Sequence, residues 1–323
     1  MKNKPFVSVI IPTYNRANQV LEAIQSVLNQ TYQDFEILVI DDNSSDNTSQ
    51  IINDLKDPRI YYYKLSKNQG APTARNIGIK KSKGDLIAFL DSDDQWVFNK
   101  LEKQIEIINN DNNIGLVYTG IKVINNQYEK VIKPCKRGDL SESLLKENYV
   151  GSTSSILVKK DLMIEAGGFD LTFKSCQDWD LFIKLSQKTE IDFVEQPLVL
   201  YFEHDGERIS TNPKSVLDGY YKIQKKYSKL IGNLPKKDKQ HHYLNIGKRI
   251  LITGINTQDI QLLKQGRSQI YKSVKVFPLN SKSILFFLYS LSNKKILLST
   301  YRVMKKIKTS KNKWSLLRLL KEY

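Results

Sequence analysis

The chain has 323 residues, more than one typical domain, and a formal net charge of +16. An apolar fraction of 40% supports a packed core and excludes wholesale disorder. Two distant cysteines, Cys135 and Cys176, fit no metal-ligand or redox spacing and point to a reducing cytosol.

Met1-Lys2-Asn3-Lys4-Pro5 leads straight into a strand pattern, without the apolar core or cleavage site of a signal peptide. The first hundred residues then alternate. Phe6 to Ile11, Phe35 to Ile40, Ile60 to Tyr63 and Leu86 to Leu90 read as strands. Helices are predicted over 18–29, after a cap at Asp46, and over 71–82. Strand–helix alternation with continuously apolar strands predicts an α/β fold: a mostly parallel sheet covered on both faces.

Beyond residue 97 the pattern changes. A helix is predicted over 97–109, then strands from Gly115 to Thr119 and from Ile121 to Ile132, the latter broken by a turn at Asn125-Asn126. A helix near 140–147, a strand at Ser154 to Val158, helices over 160–166 and 178–188, and strands at Ile191 to Val194 and Leu198 to Phe202 follow. A polar stretch, His204 to Pro213, precedes a mostly helical, lysine-rich remainder. The division expected is a catalytic domain over 1–212 and a helical basic region over 213–323.

In open α/β sheets ligands bind at the carboxyl ends of the strands. Three polar clusters sit there: Thr13-Tyr14-Asn15, Asp41-Asp42-Asn43 and Asp91-Ser92-Asp93-Asp94. They are expected to converge. Alternate carboxylates at Asp91 and Asp93 suit a hard cation such as Mg2+ or Mn2+, whose remaining ligands are often substrate phosphates. The plain alternative for an isolated Asp-x-Asp is an acidic surface turn.

The other candidates each have two readings. Asp42 accepts from a base or ribose, or shapes its turn. Tyr14 stacks on a nucleobase, or is a core aromatic. Arg75, in a turn running into a helix at Pro72, reaches a phosphate, or is solvated. Asp178, near a helix start, deprotonates an acceptor hydroxyl, or caps the helix. His204 ligates metal or touches a diphosphate, or is an exposed loop histidine.

Six stretches, in order, resemble the family 2 glycosyltransferases of GT-A fold. They are Val7 to Arg16, Val39 to Asp46, Ala74 to Gly78, Phe89 to Asp94, Gly167 to Asp170 and Gln177 to Leu181, and the resemblance covers residues 5–212. It implies an inverting transfer from a nucleotide sugar, usually a UDP-sugar, with Mn2+ or Mg2+. By the same resemblance Pro12, Tyr14 and Asp42 look like the nucleoside pocket, and Asn68 and Arg75 like its further wall. Asp91, Ser92 and Asp93 look like the ribose and metal–diphosphate contacts. Asp178 matches the catalytic base, and His204 and Ser210 match a loop closing on the diphosphate, His204 as a metal contact. One departure is Gln177, where the family often has Glu.

The expected acceptor is a hydroxyl of a glycan or lipid-linked glycan in bacterial-type surface polysaccharide synthesis, and the expected location is the cytoplasm, at the inner membrane face. No stretch approaches the ~18 apolar residues of a membrane span. Apolar residues from Ile284 to Leu298, flanked by lysines, read as a surface for an anionic membrane or as a helical bundle with a solvated basic face. A nucleotidyltransferase is the rival enzyme, but it would carry a Gly-rich triphosphate loop where this chain has Pro12 to Arg16. An inactive nucleotide-sugar-binding subunit would not explain Asp93 and Asp178 together. Nucleic acid is not expected as a partner, because no recognised motif accompanies the charge.

Overall fold

The structure is a computed structural model, and it describes residues 7–125, 127–203, 212–278, 280–292 and Leu297. Contacts divide the chain into two compact units. One holds Met1–Leu144 and Asn148–Gly206; the other holds Leu145–Glu147 and Glu207–Tyr323.

The first unit opens with β1 (Val7–Thr13), α1 (Ala17–Leu28), β2 (Phe35–Asp41), α2 (Thr48–Asp54), β3 (Ile60–Lys64), α3 (Ala71–Lys81) and β4 (Leu86–Phe89). It continues through β5 (Asp94–Trp96), α4 (Lys100–Asn110), β6 (Ile114–Asn125), β7 (Tyr128–Ile132), α5 (Ser141–Lys146), β8 (Leu157–Lys159), α6 (Lys160–Glu165), α7 (Gln177–Ser186) and β9 (Glu190–Phe202). The strands form one sheet in the order β3-β2-β1-β4-β8-β6-β9-β5, with β7 beside β6. Strands β1 to β4 run parallel; β8 then enters antiparallel, and β6 and β9 pair parallel again.

Every residue of β1 and β2 is buried, because helices cover both faces. Val7, Val9 and Ile11 pack in one core cluster with Val20, Ile24 and Val27 of α1 and with Leu101, Ile105 and Ile108 of α4. Ile10 points the other way, as strand alternation requires. There it meets α3 so closely that a Cβ on Gly78 would lie 2.4 Å from its Cγ2. Only glycine lets this helix lie so near the strand.

Two local expectations are corrected, and one short strand was not anticipated. The strands expected at 191–194 and 198–202 are one strand, β9, whose register against β6 shifts at Gly120, opposite Pro197. Proline cannot donate to the ladder, so it sits at the irregularity rather than ending the strand. Ser154 and Ser155 lie in a 3-10 turn before β8. Asp94 to Trp96 form β5, a strand too short to leave a periodic signal.

The second unit is helical among its described residues: α8 (Pro213–Lys226), α9 (Ser228–Asn233), α10 (Lys236–Thr257), α11 (Ile260–Val276) and α12 (Ser281–Leu291). Leu244, Leu251, Ile255, Leu263 and Ile270 make its core. Buried His242 has its Nδ1 2.6 Å from the Leu145 carbonyl, which it donates to as the neutral ring. No helix among the described residues is long and apolar enough to cross a membrane.

Candidate active site

The three polar strand ends do converge. After β1, the Asn15 N–H donates to Ser44 Oγ at 2.8 Å, and Asn15 Oδ1 accepts from the Ser45 N–H at 2.7 Å. Asn15 adopts a positive φ of 49° at this turn, a conformation asparagine tolerates better than most side chains. The Asp42 N–H donates to the Thr13 carbonyl at 2.8 Å, tying the ends of β1 and β2 directly. Asp46 accepts from the N–H groups of both Ala17 and Thr48, so one carboxylate stands at the starts of α1 and α2. Burial acts to raise its pKa, but those hydrogen bonds, with the Thr48 hydroxyl, outweigh it and hold Asp46 below the ordinary carboxylate range.

The two aspartates after β2 act differently. Asp41 is fully buried and accepts from Tyr62 Oη and the Ser44 N–H, which makes it a turn-former. Asp42 accepts from the Gln69 N–H at 2.7 Å and the Gly70 N–H at 2.6 Å. It therefore clamps the loop that carries Asn68 and launches α3. Pro12 is buried at the end of β1, Asn68 is exposed, and Tyr14 is 46% exposed, so Tyr14 is not a core aromatic.

The centre of the site is built on β4. Asp91 is ion-paired to Arg75, and Asp93 to Arg16 at 2.8 Å. Arg16 Nη1 also lies 3.4 Å from the hydroxyl of Ser92, which is buried. Arg75 is itself buried, with its guanidinium 5.4 Å from the ring centroid of Phe169. Its expected solvated alternative is thus excluded. Beneath them Ser154 Oγ donates to Asp94 Oδ2 at 2.6 Å and accepts from the Asp91 N–H at 3.1 Å. The Trp96 indole N–H donates to the Ser154 carbonyl at 2.9 Å. Lys100, wholly buried under the Trp96 ring, donates to Gln104 Oε1 at 2.7 Å, and burial pushes its pKa well below the usual lysine value.

Asp178 lies in the first turn of α7, where its carboxylate accepts from its own and the Trp179 N–H groups. The cap position is Cys176, held at φ 60°, and its own side chain makes no bond to the helix start. Asp178 Oδ2 also accepts from Asn148 Nδ2 at 3.2 Å. Desolvation raises the pKa of Asp178; its own and the Trp179 N–H groups and the charge of Arg75 oppose the rise, while the charge of Asp91 adds to it. These mutual influences put Asp178, Arg75 and Asp91 in one electrostatic cluster. The loop bearing Phe169 is pinned beside them by Asn76, whose amide donates to and accepts from the Phe169 backbone at 2.8 Å each way.

Sequence reasoning missed Asn148, Ser154 and the pairing role of Arg16. Arg16 was within reach, being the last residue of a strand-end motif. Asn148 and Ser154 lie in an irregular stretch with no local signal. His204 and Ser210 lie outside the described residues. No group of three His, Cys, Asp or Glu placed to hold a metal occurs among the described residues. Asp91 and Asp93 nevertheless fit a hard cation by donor chemistry. Both carboxylates keep partial solvent access at the strand end, and Mg2+ or Mn2+ commonly takes only one or two protein carboxylates beside phosphate oxygens. A separate cleft of about 1210 Å³, lined among others by Asp85, Asn112, Lys159 and Glu190, opens at the opposite rim of the sheet and holds none of these residues.

A mostly parallel sheet covered on both faces, with its polar groups gathered at the strand ends, is an α/β architecture that binds ligands at that edge. The family model described as "Glycosyl transferase family 2" matches residues 8–167. A curated glycosyltransferase of Rickettsia typhi is 35% identical over 215 residues, covering 64% of this chain and 67% of that protein. A Haemophilus influenzae glycosyltransferase is 31% identical over 56% of this chain, which spans 62% of the relative's length. The Escherichia coli enzyme named UDP-Glc:alpha-D-GlcNAc-diphosphoundecaprenol beta-1,3-glucosyltransferase WfgD is 41% identical over 42% of this chain and 58% of its own. Among solved structures, residues 1–349 of S. aureus TarS in complex with UDP-GlcNAc superpose with a TM-score of 0.66 at 18% identity, over 92% of this chain and 91% of that one. That likeness shows the GT-A-type fold. The chain belongs to the family 2 glycosyltransferases, and is a glycosyltransferase.

Proposed function

We propose that this enzyme moves a sugar from a UDP-sugar to a hydroxyl of a glycan or lipid-linked glycan, with inversion, in the building of a bacterial surface polysaccharide. The observation that carries the reading is the cluster of Asp178, Arg75 and Asp91: a desolvated carboxylate beside a second, arginine-paired carboxylate at the strand ends. WfgD, whose name gives a UDP-glucose donor and a lipid-diphosphate acceptor, and TarS, bound to UDP-GlcNAc, support the donor class.

The nucleoside lies against Tyr14 and the Asp42-clamped loop, where an exposed ring offers a stacking face. Asp91 and Asp93, with Ser92 between them, meet the ribose and diphosphate, and the same two carboxylates would hold Mn2+ or Mg2+. His204 is proposed as a further metal or diphosphate contact from the sequence resemblance alone. When bound, such a cation neutralises charge gathering on the departing diphosphate. Arg75 supplies fixed positive charge to the same region. Asp178 takes the proton from the acceptor hydroxyl as its oxygen attacks the anomeric carbon. Burial raises the basicity of Asp178, which suits it to that step, and Asn148 orients the carboxylate. The carboxylate must be ionised to act, so activity falls on the acid side.

A panel of nucleotide sugars, incubated with the full chain and Mn2+ without acceptor, tests the donor class. Slow release of UDP from one UDP-sugar is expected. Release from a non-uridine sugar nucleotide alone would contradict it.

A further inference from the structure

Helix α12 is apolar on two sides: Phe286, Phe287 and Tyr289 pack against the core of its own unit, and a second set of apolar residues does not. Its small polar residues Ser283 and Ser290 are buried, Ser283 against Gln240 of α10. Its large aliphatic residues face out: Ile284, Leu285, Leu288 and Leu291 are 37%, 58%, 57% and 50% exposed. Spacings of three and four residues put these four on one continuous stripe. Leu297, beyond the helix, is buried in the core of α10 and α11 and accepts from Tyr289 Oη at 3.2 Å, so it does not cover the stripe. Isolated exposed leucines need no explanation, but four in one stripe mark a binding surface.

The surroundings of the stripe are aromatic and cationic. Tyr271 of α11 is exposed and stacks on Phe287 at 5.3 Å between ring centroids. Lys275 stands over Tyr271, Lys248 stands over Phe286, and Lys282 lies in the first turn of α12. Residues 213–323 hold 25 of the chain's 50 Lys and Arg but only 4 of its 34 Asp and Glu. A second copy of so basic a region would be repelled. Nucleic acid would find leucines where its phosphates need donors. An anionic lipid surface matches both halves of the patch: acyl chains for the stripe, headgroups for the lysines. At 11 residues α12 is far too short to span a bilayer and suits lying along it.

We infer that the outward stripe of α12, Ile284, Leu285, Leu288 and Leu291 with its lysine rim, docks the enzyme on an anionic phospholipid membrane. This deepens the lipid-linked acceptor reading. It is measured without turnover, so each can fail alone.

Full-length protein is pelleted with vesicles of phosphatidylcholine, with or without one third phosphatidylglycerol. The wild type is expected to pellet with the anionic vesicles only, and the Leu285→Gln/Leu288→Gln variant to lose about tenfold in bound fraction while keeping its circular dichroism. Should that variant misfold, a Leu288→Trp variant gives a second measurement: brominated lipid in anionic vesicles is expected to quench its added fluorescence. Absence of wild-type binding to anionic vesicles, undiminished binding of a folded double variant, unquenched Trp fluorescence, or a solution dimer that the double variant dissolves would each overturn the inference.

Discussion

At the scale of single residues, the site turns on which carboxylates keep freedom to act. Asp41 and Asp46 are committed to turns and helix starts, and Asp42 to the loop before α3. Asp91 and Asp93 are paired but accessible, and Asp178 is desolvated. The Asn148 side chain donates to Asp178, and a donor favours the ionised form. Asn148→Ala is therefore expected to move the acid limb of the pH–rate profile upward by roughly half a unit to one unit. An unmoved limb would leave Asn148 with only a loop-forming role. Asn148 and Asp178 are 30 residues apart, and Ser154 and Asp94 are 60 apart. Such pairs form through folding, so no local pattern foretells them. The strand-end acids were legible because their spacing and position are local properties.

At the scale of elements, α3 joins the fold to the site. One face of it meets Ile10 through Gly78, and Arg75 on the same helix reaches Asp91. Gly78→Ala forces a methyl against Ile10 and is expected to cost about 1–3 kcal/mol, read as a lowered denaturation midpoint. In an Ile10→Ala background the same change should cost distinctly less, because the clash partner has gone. Equal costs in both backgrounds would show that the contact does not set the helix position. Helices and long strands were legible from periodicity and burial. Strand β5 and the continuity of β9 were not: three residues carry no period, and Pro197 reads as a break when only the sequence is seen.

At the scale of the whole molecule, the two units differ in charge and in what holds them. The helical unit depends on a neutral histidine. Burial, opposed by the Leu145 carbonyl, depresses the pKa of His242 from 6.5 to about 4. Its folded value is the lower one, so its contribution to stability is full above pH 6.5 and is lost as pH falls towards 4. The loss amounts to about 3 kcal/mol by the bottom of that window. Denaturant titrations across it should show this decline, and His242→Gln should flatten it; an equally steep decline in the variant would assign it elsewhere. The charge split between the two regions was plain in the sequence. Which apolar residues of α12 face outward was not, since Phe286, Phe287 and Leu288 are equally hydrophobic and only packing separates them.

The central claim is that Asp178 is the base of a sugar transfer served by Asp91 and Arg75. The most direct test is UDP release with sugar acceptor by Asp178→Asn, alongside its donor affinity and melting temperature. Loss of at least about a hundredfold in kcat is expected. Donor affinity should be kept. The folded carboxyl has a raised pKa, so its ionised form weakens the fold at neutral pH, and the amide should melt no lower than wild type. A folded Asp178→Asn enzyme that transfers at the wild-type rate would contradict the account.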